Sequence, residues 1–192
     1  MAARPPGQDT AAVTLAVDGL IDALGLDRAA EPELAETPGR VADFWREALA
    51  GLDPGQAPDP AVFAHEGAGD LVCVRDLVFH SLCVHHFAPF FGRALVAYLP
   101  DRQILGISAL PRLLDHHARR PQLQERLGQQ LADHIERLVR PRGVAVVLEA
   151  RHLCMEMRGI RRIGTVETRT VRGELAAPAW ADALRLGPAG RA

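Results

Sequence analysis

Apolar side chains recur every three to four residues near the start of the chain, which is the spacing of amphipathic helices. The first predicted helix spans residues 10–25. A second begins at Thr37, which can cap it, with Pro38 in the first turn, where a missing N–H breaks no hydrogen bond. We expect Gly51 to end this helix, and residues 52–60, rich in proline and aspartate, to form a loop.

Runs rich in β-branched and other apolar residues predict the strands of the remaining chain. The predicted strands are 71–79, 93–99, 104–107, 143–150 and 165–171. Between the third and the fourth strand, helical spacing returns in two helices, one behind Ser108 and a longer one that Pro121 is expected to open. This order has no βαβ rhythm, so it predicts an α+β fold with an antiparallel sheet.

The same pattern suggests a division of the chain into two parts. We assign residues 1–60 to an N-terminal arm with helices, and residues 61–192 to the main domain. The first ten residues are expected to be a loose arm. The Ala/Pro-rich tail 176–192 is expected to hold at most one short helix, around 180–184.

The composition excludes several classes of protein. Of the 192 residues, 48% are hydrophobic and 24% charged, which excludes a disordered chain, and a net charge of -2 argues against a nucleic-acid partner. The N-terminus lacks an apolar leader, and no apolar run approaches the roughly 18 residues of a membrane span. Three widely spaced cysteines fit a reducing compartment. We therefore expect a soluble, cytoplasmic protein that binds no membrane.

Two clusters of cysteine and histidine carry the candidate chemistry. Cys83 and His86 follow a predicted strand with the spacing of half a zinc site, although a buried cysteine beside surface histidines would look the same. His152 and Cys154 end another strand, where alternation puts both on one face. Cys83, His86 and Cys154 would then be three ligands with an open fourth position, as in catalytic zinc sites. His85 and His152 would remain for proton transfer.

Further polar clusters have both a functional and a structural interpretation. Ser108 could cap a helix whose N-terminus binds an anion, with Arg112 one turn later. Residues 119–126 carry side-chain amides and a carboxylate that could bind a ligand. Their composition alone, however, favours a solvent-exposed helix face with salt bridges. Arg158 follows closely behind the second cysteine cluster. Cys73 is expected to be a core residue.

These clusters, in this order, resemble those of the GTP cyclohydrolase I family. The resemblance covers about residues 37–173 and rests on 37–42 (TPGRVA), 81–87 (SLCVHHF), 89–92 (PFFG), 96–98 (VAY), 106–108 (GIS), 118–127 (ARRPQLQERL) and 152–159 (HLCMEMRG).

The resemblance implies a fold, an assembly and a reaction. It implies a tunnelling fold (T-fold), an antiparallel sheet backed by two helices, with 61–192 as the catalytic domain. Copies would assemble into a barrel-shaped ring, typically a homodecamer with active sites between subunits. The implied reaction hydrolyses GTP at C8 of the guanine, releases formate and forms 7,8-dihydroneopterin triphosphate, the first step of pterin and folate biosynthesis.

The resemblance also implies functional roles for the residues of this chain that match the family motifs. The resemblance implies Cys83, His86 and Cys154 as zinc ligands, and His85 and His152 as the acid/base pair around the purine and ribose.

The same carry-over supplies the substrate contacts. Glu125, with its neighbour Gln124, would bind N1 and the amine of the guanine, and Ser108 would lie beside the ribose or phosphate. The triphosphate would be clamped by Arg112, Arg158 and, from another subunit, Arg40.

The chain departs from the family pattern at several positions. Val84 replaces a usual acidic residue, and Ala109 and Asp43 replace lysines expected near the phosphates; the segment 165–170 is also altered. All 22 basic residues of this chain are arginine, so a replacement of these lysines by arginine would be expected and would keep the positive charge. Alanine and aspartate instead remove it. Two alternatives therefore stay open: a paralogue acting on a different or less phosphorylated guanine compound, and a non-catalytic ring subunit.

Overall fold

A computed structural model describes residues 9–67 and 70–187 of the chain. Most of the predicted N-terminal arm and the end of the predicted tail lie outside these residues. The chain divides between Ala57 and Pro58 into two compact units. No helix of the described residues is both long enough and apolar enough to cross a membrane.

The first unit contains two α-helices, α1 (Thr10–Ala23) and α2 (Thr37–Ala48). Helix α1 ends at Ala23, two residues before the predicted end, and Gly25 beyond it adopts the left-handed conformation at φ +67°. The prediction that Gly51 ends α2 is wrong. Leu49 follows the helix at φ -108°, which any residue adopts, and the chain then tightens into a 3-10 turn that contains Gly51. Thr37 is the first helical residue rather than the cap.

The second unit is built on a five-stranded sheet of order β5-β2-β3-β6-β7. Its strands are β2 (Val72–Cys83), β3 (Pro89–Leu99), β5 (Pro121–Gln122), β6 (Gly143–His152) and β7 (Thr165–Gly173). Neighbouring strands are antiparallel except β5, which pairs in parallel with the end of β2. A separate two-stranded sheet joins β1 (Val62–Ala64) to β4 (Gln103–Leu105).

Two helices back the sheet, α3 (Ala109–Ala118) and α4 (Gln124–Val139). The main core lies between them and the sheet, and it includes the whole apolar stripe of α4: Leu127, Leu131, Ile135 and Val139. A smaller cluster covers the opposite face of the sheet, where the C-terminal segment packs through Leu175 and Leu184. The predicted α+β class is thus confirmed.

Several of the predicted element bounds are wrong; β3, for example, begins at Pro89 rather than at 93. Strand β2 continues past 79 through polar residues, because His80 and Ser81 pair with Phe91 and Phe90 of β3. Strand β4 leaves the main sheet to pair with β1, which the sequence did not predict. Pro121 does not open α4: it lies in β5, whose parallel pairing with β2 gives the backbone an extended course before the helix begins.

Gly92 gives a direct test of sheet packing. It lies opposite Ala150, and a Cβ built on it would meet the carbonyl oxygen of Glu149 at 1.9 Å. We expect Gly92→Ala to lower the free energy of unfolding by about 2–4 kcal/mol, because two paired backbones must separate. Urea unfolding followed by circular dichroism measures this. Gly106→Ala is the matched control, since its Cβ would meet ordinary contacts beginning at 3.5 Å; equal losses in both variants would contradict the argument.

Candidate active site

A pocket of about 290 Å³ lies where β2 and β6 end and α4 begins. Six residues predicted for the site contribute to its wall: Cys83, His85, Gln124, Glu125, His152 and Cys154. They come from segments far apart in the sequence. The fold therefore brings together the two cysteine–histidine clusters and the start of α4.

The turn after β2 presents the first cluster. Cys83 is the buried last residue of the strand, and its carbonyl accepts hydrogen bonds from the N–H groups of His86 and Phe87. Phe87 adopts φ +53°, which reverses the chain toward β3. The Val84 N–H donates to the Gln122 carbonyl and ties this turn to β5.

Within this turn, one thiol and two imidazoles form a group that could hold a metal ion. The Cys83 Sγ lies 3.9 Å from His85 Nδ1 and 3.8 Å from His86 Nδ1. Sulfur and nitrogen ligands of a tetrahedral zinc ion lie about 3.6 Å apart. Cys83, His85 and His86 are the group found among the described residues whose ligand atoms lie close enough together to hold a metal ion. The spacing and the soft donor set fit a metal of the zinc type.

Cys154 adjoins this group. The prediction that it shares a strand face with His152 is wrong, because β6 ends at His152 and Cys154 lies in a one-turn helix, α5 (Leu153–Glu156). That turn carries its thiol close to Cys83, although Cys154 is not part of the group formed by Cys83, His85 and His86. Burial raises the pKa of the Cys154 thiol, and the Cys83 contact raises it further. The predicted ligand therefore lies on a helical turn beside the group, not on the strand.

Arg158 lies against the second imidazole of the cluster. Its Nη1 donates to His86 Nε2 at 2.5 Å, so the Nδ1 atom of His86 is the one that faces the Cys83 thiol. Both side chains are exposed. The resemblance implies a triphosphate contact for this arginine; in the described chain it lies beside the group that could hold a metal ion.

His152 is held on two sides. Its ring stacks on Phe90 with a centroid distance of 4.7 Å and an interplanar angle of 1°. Its Nε2 lies 2.7 Å from the side-chain oxygen of Gln124. Burial lowers the pKa of His152, against the opposing influence of Glu125 and Glu156. The imidazole is therefore neutral near pH 7 and able to accept a proton.

The start of α4 supplies two side chains of different character. Glu125 is exposed in the first turn of the helix, at the pocket wall. Gln124 is buried, and its amide makes hydrogen bonds inside the protein. A carboxylate in this position can accept from two neighbouring N–H donors of a ligand.

Two of the predicted phosphate contacts do not line this pocket. Ser108 lies at the N-cap position of α3 as predicted, but its hydroxyl makes no capping hydrogen bond and accepts from Arg112 Nη2 at 2.6 Å; neither residue lines the pocket. Arg40 belongs to the first unit, where it pairs with Glu36. Within the second unit, residues predicted to act on the purine line the pocket, whereas Ser108 and Arg112 do not.

The structural interpretation holds for much of the remaining polar sequence. Arg119 pairs with Asp115 at 2.9 Å along α3. Arg126 donates to the side chain of Gln122 at 2.9 Å, so both stabilise the connection between the helices. Cys73 is half-buried against the smaller core cluster, as predicted.

Sequence reasoning missed the role of Phe90. This residue lies in the segment 89–92 that carries part of the resemblance, and it packs against both the core and His152. Its alternation with Phe91 along β3 could have identified it as the inward-facing ring. Leu123, Met155 and Val166 also line the pocket and carry no signal beyond their apolar character.

Comparison with known proteins gives consistent matches. A family model described as GTP cyclohydrolase I matches residues 13–183. GTP cyclohydrolase 1 of Brucella anthropi is 48% identical over 147 residues, covering 74% of this chain and 68% of that protein. The protein of the same name from Streptomyces avermitilis is 47% identical over 169 residues, covering 85% of this chain and 83% of its own. That of Thermoanaerobacter pseudethanolicus is 44% identical, covering 86% and 88%. The chain belongs to the GTP cyclohydrolase I family.

Proposed function

We propose that this protein is a GTP cyclohydrolase I that hydrolyses GTP at guanine C8, releases formate and forms 7,8-dihydroneopterin triphosphate. The observation that carries the proposal is one pocket whose wall brings together the Cys83 thiol, the His85 imidazole, the stacked His152 imidazole and the exposed Glu125 carboxylate. Opening an imidazole ring with water needs an activated nucleophile and a proton donor for the leaving nitrogen. The family membership supports the same reaction.

Zinc is the proposed metal, held by Cys83, His86 and Cys154. The Cys83–His86 spacing of 3.8 Å and the thiol contact with Cys154 support this ligand set. When bound, zinc supplies Lewis-acid activation of water. His85 belongs to the same group in the described residues, and we assign it to proton transfer because it also lines the pocket.

The remaining chemistry belongs to side chains of the pocket wall. His85 and His152 would exchange protons with the purine edge and the ribose oxygen, and the neutral state of His152 suits the accepting role. The Glu125 carboxylate would bind N1–H and the amine of guanine, two donors that adenine does not offer in that arrangement. The pocket therefore recognises the base and performs the ring opening.

The triphosphate site is proposed to need a second subunit. Ser108, Arg112 and Arg158, with Arg40 from another subunit, would complete it in a homo-oligomeric ring, a decamer by analogy with the family. Large apolar side chains exposed in the single chain support an assembly, since such surface is unusual on a monomer. They include Ile107, Ile163 and Val78, at 82%, 80% and 74% exposure.

The test of the function is one incubation of zinc-loaded protein with GTP. We expect both formate and the fluorescence of the oxidised pterin, in equal amounts. Formate without pterin would show ring opening without ring closure. Neither product from zinc-loaded, assembled protein would contradict the proposal.

A second candidate is the same chemistry on a less phosphorylated guanine compound. It is favoured by Ser108 and Arg112 bonding to each other, and by Asp43, which pairs with Arg46 at 3.0 Å where a cation was expected. Specificity constants for GTP, GDP, GMP and guanosine separate the candidates. A strong preference for GTP excludes the second.

A further inference from the structure

Gln124 is the best anchored polar side chain of the pocket. It is the first residue of α4, it is almost fully buried, and its amide nitrogen reaches acceptors on two strands. Nε2 lies 3.0 Å from the Leu148 carbonyl, 2.9 Å from the Val166 carbonyl and 3.2 Å from Thr168 Oγ1. Both hydrogens of the amide are thereby used inside the protein.

These acceptors fix which way the amide points. The carbonyl oxygens of Leu148 and Val166 can only accept hydrogen bonds. A rotated amide would set its own oxygen against both of them in a buried site, where an unmatched polar contact costs about 1–3 kcal/mol per group. The side-chain oxygen of Gln124 is therefore directed away from the sheet.

That oxygen in turn fixes the proton on His152. Oε1 of Gln124 has no hydrogen to donate, so His152 Nε2, 2.7 Å away, must be the donor. In a neutral imidazole only one nitrogen carries a proton, so Nδ1 holds the lone pair. Stacking on Phe90 restrains the ring in the same orientation.

We propose that Gln124 is a positioning residue that holds His152 as the Nε2–H tautomer, so that His152 acts in the reaction through Nδ1. This rests on the proposed function, which it deepens. It also replaces the sequence-based role of Gln124 as a guanine contact, because its amide hydrogens are engaged with the sheet and its oxygen with His152. Glu125 then carries the guanine recognition alone of the two.

The tautomer can be measured independently of activity. In long-range ¹H–¹⁵N spectra of the zinc-loaded protein, the His152 ring, assigned by its loss in His152→Phe, should show the Nε2–H pattern. Gln124→Met keeps the side-chain length and removes the acceptor, and we expect a mixed tautomer signal. Gln130→Met is the matched control, since this glutamine of α4 accepts from Gln122 and does not line the pocket; it should leave the His152 pattern unchanged.

Kinetics separate positioning from substrate binding. We expect Gln124→Met to lower kcat for formate release about 10- to 100-fold, the usual cost of losing a group that orients a catalytic histidine, with KM for GTP changed less than about threefold.

Several outcomes would overturn the proposal. A wild-type spectrum with His152 protonated at Nδ1 does so without any variant, even if Gln124→Met fails to fold. So does a Gln124→Met protein with raised KM and unchanged kcat, which would mean direct contact with guanine. If the wild type does not act on GTP, the proposed function fails while the spectra still decide the tautomer.

Discussion

Replacing Cys83 by serine is expected to remove the bound metal and lower kcat/KM for formate release by about three orders of magnitude or more. Cys83 is the central residue of the site: His85, His86 and Cys154 all contact its sulfur. A serine hydroxyl keeps the volume but is a much weaker ligand for a zinc-type ion. The measurement is metal content by elemental analysis beside the formate assay.

Cys73→Ser is the matched control for this prediction. Cys73 lies against the smaller core cluster and outside the pocket, so its replacement should leave metal content unchanged. Both variants should keep the circular dichroism spectrum of the wild type. Full metal content and activity in Cys83→Ser would show that the chemistry lies elsewhere.

Acid is expected to destabilise the second unit through a buried pair of histidines between α3 and α4. His117 Nε2 lies 2.9 Å from His134 Nδ1. Burial lowers the pKa of His117 from 6.5 to about 3, and Arg120, His134, His116 and Arg137 add to the effect. The folded state therefore resists a proton that the unfolded state accepts, so stability is present above pH 6.5 and is lost as the pH falls toward 3.

The size of this effect is measurable in a moderate pH range. A pKa difference of this size removes about 2 kcal/mol of unfolding free energy between pH 7 and pH 5. Urea unfolding of wild type and His117→Phe at both pH values measures it, and the variant should lose correspondingly less. His80→Phe, at an exposed histidine on β2, is the control and should follow the wild type. Parallel pH curves for wild type and His117→Phe would contradict the assignment.

The helices and strands could be predicted where burial repeats along the sequence. The stripe of α4 and the apolar run of β6 both face the core, so their periodicity shows in the residue order. The prediction failed where a distant partner decides the local conformation. The polar residues His80 and Ser81 belong to a strand because they pair with β3. Pro121 is extended because it pairs with β2.

The sequence by itself determined the chemical inventory of the site: a thiol and imidazoles at ligand spacing after β2, a second pair after β6, and a carboxylate opening α4. It also determined the family, because these motifs occur in one order. Only the tertiary structure decided how the groups meet. Cys154 lies on a helical turn beside Cys83. Ser108 and Arg112 bond to each other outside the pocket, and the side-chain oxygen of Gln124 bonds to His152. The physical reason is that a buried polar group is satisfied by whichever distant donors and acceptors the packed strands leave unpaired, and residue order does not encode that locally.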